Sequence, residues 1–343
     1  MRVLVTGGAG YVGSHTCVAL LENDYDVVVV DSLVNGSREA LRRVEEIAGR
    51  PLAFHEADIR DRARLDGILA ESPVDAVLHF AALKAVGESV EDPLAYFDNN
   101  VGGTVTLCQS MRAAQVRTIV FSSSATVYGV PDEVPIGEDA PLSAVNPYGR
   151  TKLMSEQILA DLQVAWPALR VGLLRYFNPG GAHPGGRIGE SPKSIPNNLL
   201  PYIARVAVGD LPYLRVFGGD YPTPDGTGVR DYIHIMDLAR GHVAALERLL
   251  DAGGAYADGG VLTVNLGTGR GYSVLEVLDA FERAVGRELP YRVVDRRPGD
   301  VAECYAAPSL AARVLGWRAE FGIDRICEDA WRWQSNNPHG FDT

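Results

Sequence analysis

Tyr148-Gly149-Arg150-Thr151-Lys152 places a phenol and an ammonium four residues apart, on one face if the segment is helical. Of the fourteen tyrosines, Tyr148 alone has this partner. A free phenol titrates near pH 10, so a tyrosine acting as a base near neutrality needs a downward shift of about three units, roughly 4 kcal/mol. A neighbouring lysine cation acts in that direction, as would any second positive charge held beside the ring. Such a base could remove a hydroxyl proton while hydride leaves the same carbon. The spacing also arises by accident on surface helices, so it gains meaning from its company. Ser122-Ser123-Ser124 ends a predicted strand and could orient a substrate alcohol, or could simply start a loop.

The company includes a dinucleotide cradle. Thr6-Gly7-Gly8-Ala9-Gly10-Tyr11-Val12-Gly13 follows the first predicted strand and opens a helix. Gly7, Gly10 and Gly13 permit a tight turn and close backbone approach, so that the helix N-terminus can present N–H groups to a pyrophosphate. A second strand ends in Asp31, 18 residues after Gly13. A carboxylate there accepts from a ribose 2′-hydroxyl and repels a 2′-phosphate, which selects NAD over NADP. Asp58 and Ile59 either flank the adenine after a third strand or, for the aspartate, cap a helix. Gly267-Thr268-Gly269-Arg270-Gly271 has Tyr272 where a third phosphate-loop glycine would stand, and reads as a structural turn.

The elements that must hold these groups alternate. Short apolar runs at 2–6, 26–30, 76–80 and 118–122 read as buried strands with helices between them, as do 170–177, 214–217 and 261–266 further on. Helices are expected near 198–208, 236–250, 273–285 and 309–315. Strand and helix in alternation imply right-handed crossovers and a parallel sheet, here an α/β Rossmann-like doubly wound sheet with ligands beyond its carboxyl edge. Gly and Pro become dense after Phe177, which predicts an NAD-binding domain over 1–178 and a smaller C-terminal α/β domain over 179–343. Stretches around 230–240 and 261–270 are expected to return to the first.

Composition excludes much else. With 343 residues, 46% hydrophobic and 22% charged, the chain is neither disordered nor fibrous. A net charge of −12 disfavours nucleic acid as a partner. Four scattered cysteines suggest neither a disulfide framework nor a zinc site, His234 and His242 are too far apart for a metalloprotease motif, and no metal is expected. A reducing cytoplasm fits, no secretory leader is read at MRVLVTGGAG, and no run approaches the ~20 apolar residues that a membrane span requires.

Beyond TGGAGYVGSHT at Thr6 and YGRTK at Tyr148, the chain carries DNNVGGT at Asp98, FSSSATVYG at Phe121, LRYFNPGGAHP at Leu174, IPNNLLPYIA at Ile195, GTGVRDYIHIMDLA at Gly226 and RRPGD at Arg296. In these it resembles the UDP-glucose 4-epimerase family of the extended short-chain dehydrogenase/reductase superfamily. The resemblance implies that Tyr148 is the catalytic base and acid, that Lys152 tunes it and holds the nicotinamide ribose, and that Ser124 bonds the sugar hydroxyl. It implies cofactor contacts at Tyr11, Val12, Asn35, Asp58, Ile59, Phe80, Ala81, Ala82, Lys84, Asn99, Ser122 and Phe177. It places a UDP-hexose against Lys84, Asn178, Asn198, Leu199, Leu214, Val216, Phe217, Arg230, Arg297 and Asp300; the two guanidiniums suit a diphosphate. A captive NAD, a 4-keto sugar that turns over, and a homodimer built on helices near 93–114 and 152–164 are further expectations.

Rival readings remain. A nucleotide-sugar 4,6-dehydratase needs an Asp-Glu pair where this chain has Ser124-Ala125-Thr126, so elimination lacks its proton carriers. A non-catalytic NAD-binding scaffold would not need Tyr148, Lys152 and Ser124 together. Cys304, where the family alternates between a bulky tyrosine and a small residue, leaves room for an N-acetyl group, or is a small buried residue and nothing more.

Overall fold

The structure is a computed structural model that describes residues 1–193, 196–297 and 299–341; Ile195 and Pro298, part of two segments quoted above, lie outside them. Strand β1 (Arg2–Thr6) leads into helix α1 (Tyr11–Glu22), followed by β2 (Asp26–Asp31), α2 (Arg38–Ala48), β3 (Ala53–Glu56), α3 (Arg62–Glu71) and β4 (Ala76–His79). Short helices α4 (Val86–Glu91) and α5 (Pro93–Tyr96) run through a π-helical turn (Phe97–Gly102) into α6 (Gly103–Ala113). Then come β5 (Thr118–Ser124), a 3₁₀ turn (Ala125–Tyr128), α7 (Pro147–Ala165) and β6 (Arg170–Tyr176).

The remaining chain forms β7 (Asn178–Gly180), α8 (Leu199–Val208), β8 (Leu214–Phe217), β9 (Val229–His234), α9 (Ile235–Leu250), β10 (Gly260–Leu266), β11 (Gly271–Ser273) and α10 (Val274–Val285). It closes with β12 (Tyr291–Val294), β13 (Glu303–Cys304), α11 (Ser309–Leu315) and α12 (Ile323–Asn336).

Seven strands make one sheet in the order β10-β6-β5-β4-β1-β2-β3, with parallel pairing throughout. Strand order reverses between β1 and β4, which opens a crevice at their carboxyl ends. Alternation sorts the β-branched runs into two layers. Val3, Val5, Val27 and Val29 share a core with Val18 of α1 and Leu246 of α9, whereas Leu4, Val28, Val30 and Val77 share another with Leu65 of α3 and Leu107 of α6. A structure buried on both faces explains why these strands read as continuous apolar runs.

A mixed sheet, β11-β9-β13 with β7 also against β9, and the parallel pair β8-β12 form the smaller C-terminal part around Ile203, Phe281 and Ile326. The chain crosses back between the two parts: β10 joins the large sheet and α9 packs on α1, but β9 belongs to the small sheet. The third strand on which the Asp58 reading depended is present as β3, while β11, β12, β13 and α12 carry no sequence-based expectation and β9 was expected only as part of a stretch returning to the first domain. Buried α12 has Ile323, Ile326, Cys327, Ala330 and Trp333 on one stripe, a helical period that is legible in hindsight.

Candidate active site

The glycine turn is shaped by contacts that leave no room for side chains. Gly7 has φ of +73°, and a Cβ there would stand 2.6 Å from the Ala81 nitrogen; one at Gly13 would stand 2.2 Å from the Gly7 oxygen. Gly10 is the N-cap of α1 and brings no side chain to cover the first-turn N–H groups. Asp31 ends β2, 8% exposed, and receives Ala9 N at 3.0 Å and Leu33 N at 2.8 Å. Burial pushes its carboxyl up and those two N–H groups pull it down. Tyr11 and Val12 open α1, Phe80 follows β4, and Ala81 and Ala82 continue past it, so they rim the same crevice. An uncapped helix start, a backbone-only turn and an anchored carboxylate in that order fit a dinucleotide.

The reactive residues arrive from β5 and α7. Asn146 caps α7 by accepting from Gly149 N at 2.8 Å, and Pro147 occupies its first turn, which puts Tyr148 at the mouth and Lys152 one turn inward. Lys152, 3% exposed, donates from Nζ to the Ser122 carbonyl at 2.6 Å and lies 5.9 Å from the centre of the Tyr148 ring. The three serines diverge because a strand alternates its faces. Ser122 bonds the Tyr176 hydroxyl, Ser123 turns to the opposite side and bonds Glu156, and the Ser124 oxygen accepts from Thr126 N and Oγ1 at 3.2 and 3.0 Å. Ser124 still has its own proton to donate, and it faces Tyr148.

Electrostatics depart from expectation here. Burial pushes the Tyr148 phenol up to about 12 against the pull of the Ser124 hydroxyl, and burial lowers Lys152 to about 7 despite Glu156. The lysine was expected to draw the phenol down. Its own desolvation weakens that charge, so protein groups alone leave tyrosine neutral near pH 7.

Asn99 and Asn100 lie in the π-helical turn. Asn99 is half-buried; Asn100 accepts from Leu83 N at 2.8 Å and donates to Leu83 O and to Thr151 Oγ1, each at 3.0 Å. It thereby ties the loop after β4 to α7. Asn100, Thr151 and Glu156 were not assigned from sequence, although Asn100 neighbours Asn99 in the DNN motif and Glu156 lies four residues beyond Lys152. Asp58 pairs with Arg60, which holds its carboxyl below the usual range, and the cap of α3 is Asp61. The capping alternative for Asp58 therefore goes to its neighbour. Ile59 is buried against Gly103, Asn35 is exposed on the loop after β2, and Phe177 is buried after β6.

Across the crevice, Arg297 makes two bonds to Asp300 at 3.1 and 3.0 Å, Arg230 comes within 4.0 Å of the same carboxylate, and Arg297 lies over Phe217 at 5.6 Å. Cys304 of β13 pairs in register with Arg230 of β9. Lys84 Nζ and Asn198 Nδ2 both donate to Glu190, at 2.9 and 3.0 Å. Leu199 starts α8 and Asn178 starts β7. Leu214 and Val216 point into the core, at 2% and 0% exposure, so a ligand could meet them through backbone alone. The Gly267–Gly271 turn is structural: Asp231 accepts Thr268 N, Thr268 Oγ1 and Gly269 N.

Comparison with known proteins agrees with this geometry. The chain is 61% identical over 341 residues to UDP-glucose 4-epimerase of Bacillus subtilis, covering 99% of each. Its fold superimposes on UDP-glucose 4-epimerase from Bifidobacterium longum in complex with NAD+ and UDP with a TM-score of 0.95, at 52% identity and covering 99% of this chain and 100% of that one. The UDP-Glc/GlcNAc 4-epimerase from Campylobacter jejuni gives 0.84, at 35% identity over 98% and 99%. Residues 3–257 match the model of the NAD dependent epimerase/dehydratase family, and the chain belongs to that family.

Proposed function

We propose that the chain interconverts UDP-galactose and UDP-glucose by inverting the sugar C4 through a 4-keto intermediate, with tightly held NAD. The observation that carries the reading is the 2.6 Å bond from Lys152 to the Ser122 carbonyl, which seats the Tyr148 turn of α7 against the serine end of β5 at the sheet's carboxyl edge. NAD, when bound, supplies a hydride acceptor and donor, and its positive charge adds the downward pull on Tyr148 that protein groups lack. Gly7, Gly10 and Gly13 admit its pyrophosphate, and Asp31 takes its adenosine ribose.

Tyr148 removes the C4 hydroxyl proton and later returns it; Ser124 donates to that hydroxyl and holds it near the phenol; Lys152 keeps a cation beneath the ring. Arg230 and Arg297 exchange their hold on Asp300 for the diphosphate, gripping one end of the substrate while the hexose stays free to turn. In this reading residues 1–178 bind the dinucleotide and 179–343 mainly the nucleotide sugar; of the stretches expected to return to the first domain, α9 and β10 pack with it while β9, with Arg230, stays on the sugar side.

Incubating the protein with UDP-galactose without added NAD and following the anomeric signals by NMR tests the reading; a static spectrum would refute it. Cys304 extends it to UDP-N-acetylhexosamines, because it is the half-buried small side chain beside Arg230. Cys304→Tyr is expected to abolish turnover of UDP-N-acetylglucosamine and spare UDP-galactose; equal loss of both would remove this role. The protein acts in the cytoplasm as a homodimer. Val90, Leu94 and Met154, on adjoining helices α4, α5 and α7, are exposed at 64%, 78% and 40%, and a second copy would cover them.

A further inference from the structure

Behind the reactive face lies a buried ionic group that the mechanism above does not use. Glu156 stands one helical turn beyond Lys152, and its side chain is 4% exposed. Arg175 of β6, 6% exposed, grips it from Nε at 2.9 Å to Oε1 and from a terminal nitrogen at 2.6 Å to Oε2. Ser123, wholly buried, donates to the same carboxylate. The register accounts for the meeting, since Ser123 and Arg175 are direct partners across β5 and β6 and therefore point to one side.

The network continues outward. Arg175 donates to the Tyr128 hydroxyl at 3.1 Å, Tyr128 to Asn265 Oδ1 at 2.7 Å, and Asn265 Nδ2 to the Ile136 carbonyl at 2.9 Å. Ile136 N in turn donates to the Tyr305 carbonyl at 2.9 Å, beside Cys304. One buried chain of bonds thus joins the serine end of β5 to the segment that walls the sugar.

We propose that Glu156, clamped by Arg175, is a positioning residue for proton transfer: it holds the serine end of β5 against α7 through Ser123 and fixes a negative charge one turn from the Lys152 ammonium. A buried carboxylate gripped by the Arg175 fork and by the Ser123 hydroxyl is held in one rotamer, so the Ser122 carbonyl and Ser124 hydroxyl on either side of Ser123 keep their height relative to Lys152 and Tyr148. The charge matters because the ammonium is buried and loses hydration. Besides Glu156 and its partner Arg175, titratable groups face the Tyr148–Lys152 pair from β4 (His79), β6 (Tyr176) and α5 (Tyr96, whose hydroxyl also bonds Glu88 of α4). Burial lowers His79 to about 3, and burial raises both tyrosines, so all three are uncharged near neutrality. Glu156 and Arg175 are the charged members.

The inference rests on the epimerase reading, which wild-type turnover of UDP-galactose tests by itself. Given that turnover, the pH profile of kcat is measured for Glu156→Gln, Arg175→Met, the double variant and Ser123→Ala, with bound NAD and circular dichroism recorded for each. Glu156→Gln leaves Arg175 uncompensated and is expected to move the limb on which Lys152 loses its proton to lower pH, with kcat down about tenfold and KM within about twofold. Arg175→Met leaves Glu156 uncompensated and moves that limb to higher pH. Ser123→Ala lowers kcat about threefold without moving the limb.

A purely architectural pair would shift neither limb, or both in one direction, and either result overturns the proposal. If a single variant does not fold, the uncharged double variant decides. A limb at its wild-type position with kcat still about tenfold low supports the role, and full wild-type kcat overturns it.

Discussion

Burial keeps the Tyr148 phenol protonated in the field of its own protein, so the proposed chemistry needs the charge that a bound dinucleotide would bring. In the proposed mechanism Tyr148→Phe removes the carrier of the C4 proton, and kcat is expected to fall about 10²- to 10⁴-fold, the usual worth of a general base. Calorimetric affinity for UDP should stay at the wild-type value, because the proposed diphosphate partners are Arg230 and Arg297, which pair with Asp300 and not with Tyr148. A variant that still inverts C4 at a tenth of the wild-type rate would remove Tyr148 from the reaction. At this scale the sequence was informative about identity and silent about environment. The Tyr148–Lys152 spacing was visible, but the burial that lowers Lys152 to about 7 is tertiary: α7 lies against β5 and β6, and no residue of the YGRTK motif reports it. Glu156 was hidden for the same reason: an acid at i+4 from a lysine is ordinarily a surface pair, and its burial depends on Arg175 across the sheet.

Among the elements, the turn between β1 and α1 was the most legible, since glycines at 7, 10 and 13 have one common explanation and the structure supplies it in atomic clearances. Gly13→Ala would drive a methyl group to 2.2 Å from the Gly7 oxygen, so the turn must open. The purified variant is expected to release no NAD on denaturation, where the wild type releases about one equivalent per chain; retention of the full amount would show that the turn can yield. The long apolar strands were legible because both faces are buried, and their parallel order followed from alternation with helices. The small sheet was not. β11 and β13 are three and two residues long, β9 is flanked by partners from distant parts of the chain, and such strands have no periodicity of their own to read. The π-helical turn was equally silent, because nothing in Phe97–Gly102 distinguishes it from α-helix.

For the molecule as a whole, buried histidines make the fold sensitive to acid. Burial lowers His15 and His79 to about 3 and His242 to about 4. The unfolded chain binds these protons near pH 6.5 whereas the native state refuses them, so stability is complete above about 6.5 and falls as pH drops toward 3–4. Three such groups give a slope of about 4 kcal/mol per pH unit near pH 5. Urea midpoints at pH 7 and 5 should register it, and His242→Gln should remove about a third; a flat profile between those values would contradict the burial argument. Assembly is tested at the same scale. Leu94→Glu puts a charge into the exposed apolar strip of α4, α5 and α7 and is expected to halve the mass seen by analytical ultracentrifugation. An unchanged mass would place the dimer contact elsewhere.

The two parts of the molecule are also stitched together beside the glycine turn and the loops that follow β2 and β4. Tyr11 donates to the Gly181 carbonyl at 2.7 Å, Lys84 pairs with Glu190, and Lys193 donates to the carbonyls of Leu33 and Val34, each at 2.8 Å. In the reading proposed above, a dinucleotide held beneath these stitches would have to break them before trading places with its reduced counterpart in the surrounding solution. Insulation from the electron supply of the cell would follow: a reaction that lends a hydride and takes it back would run at the same pace whether the neighbouring pools are oxidised or starved.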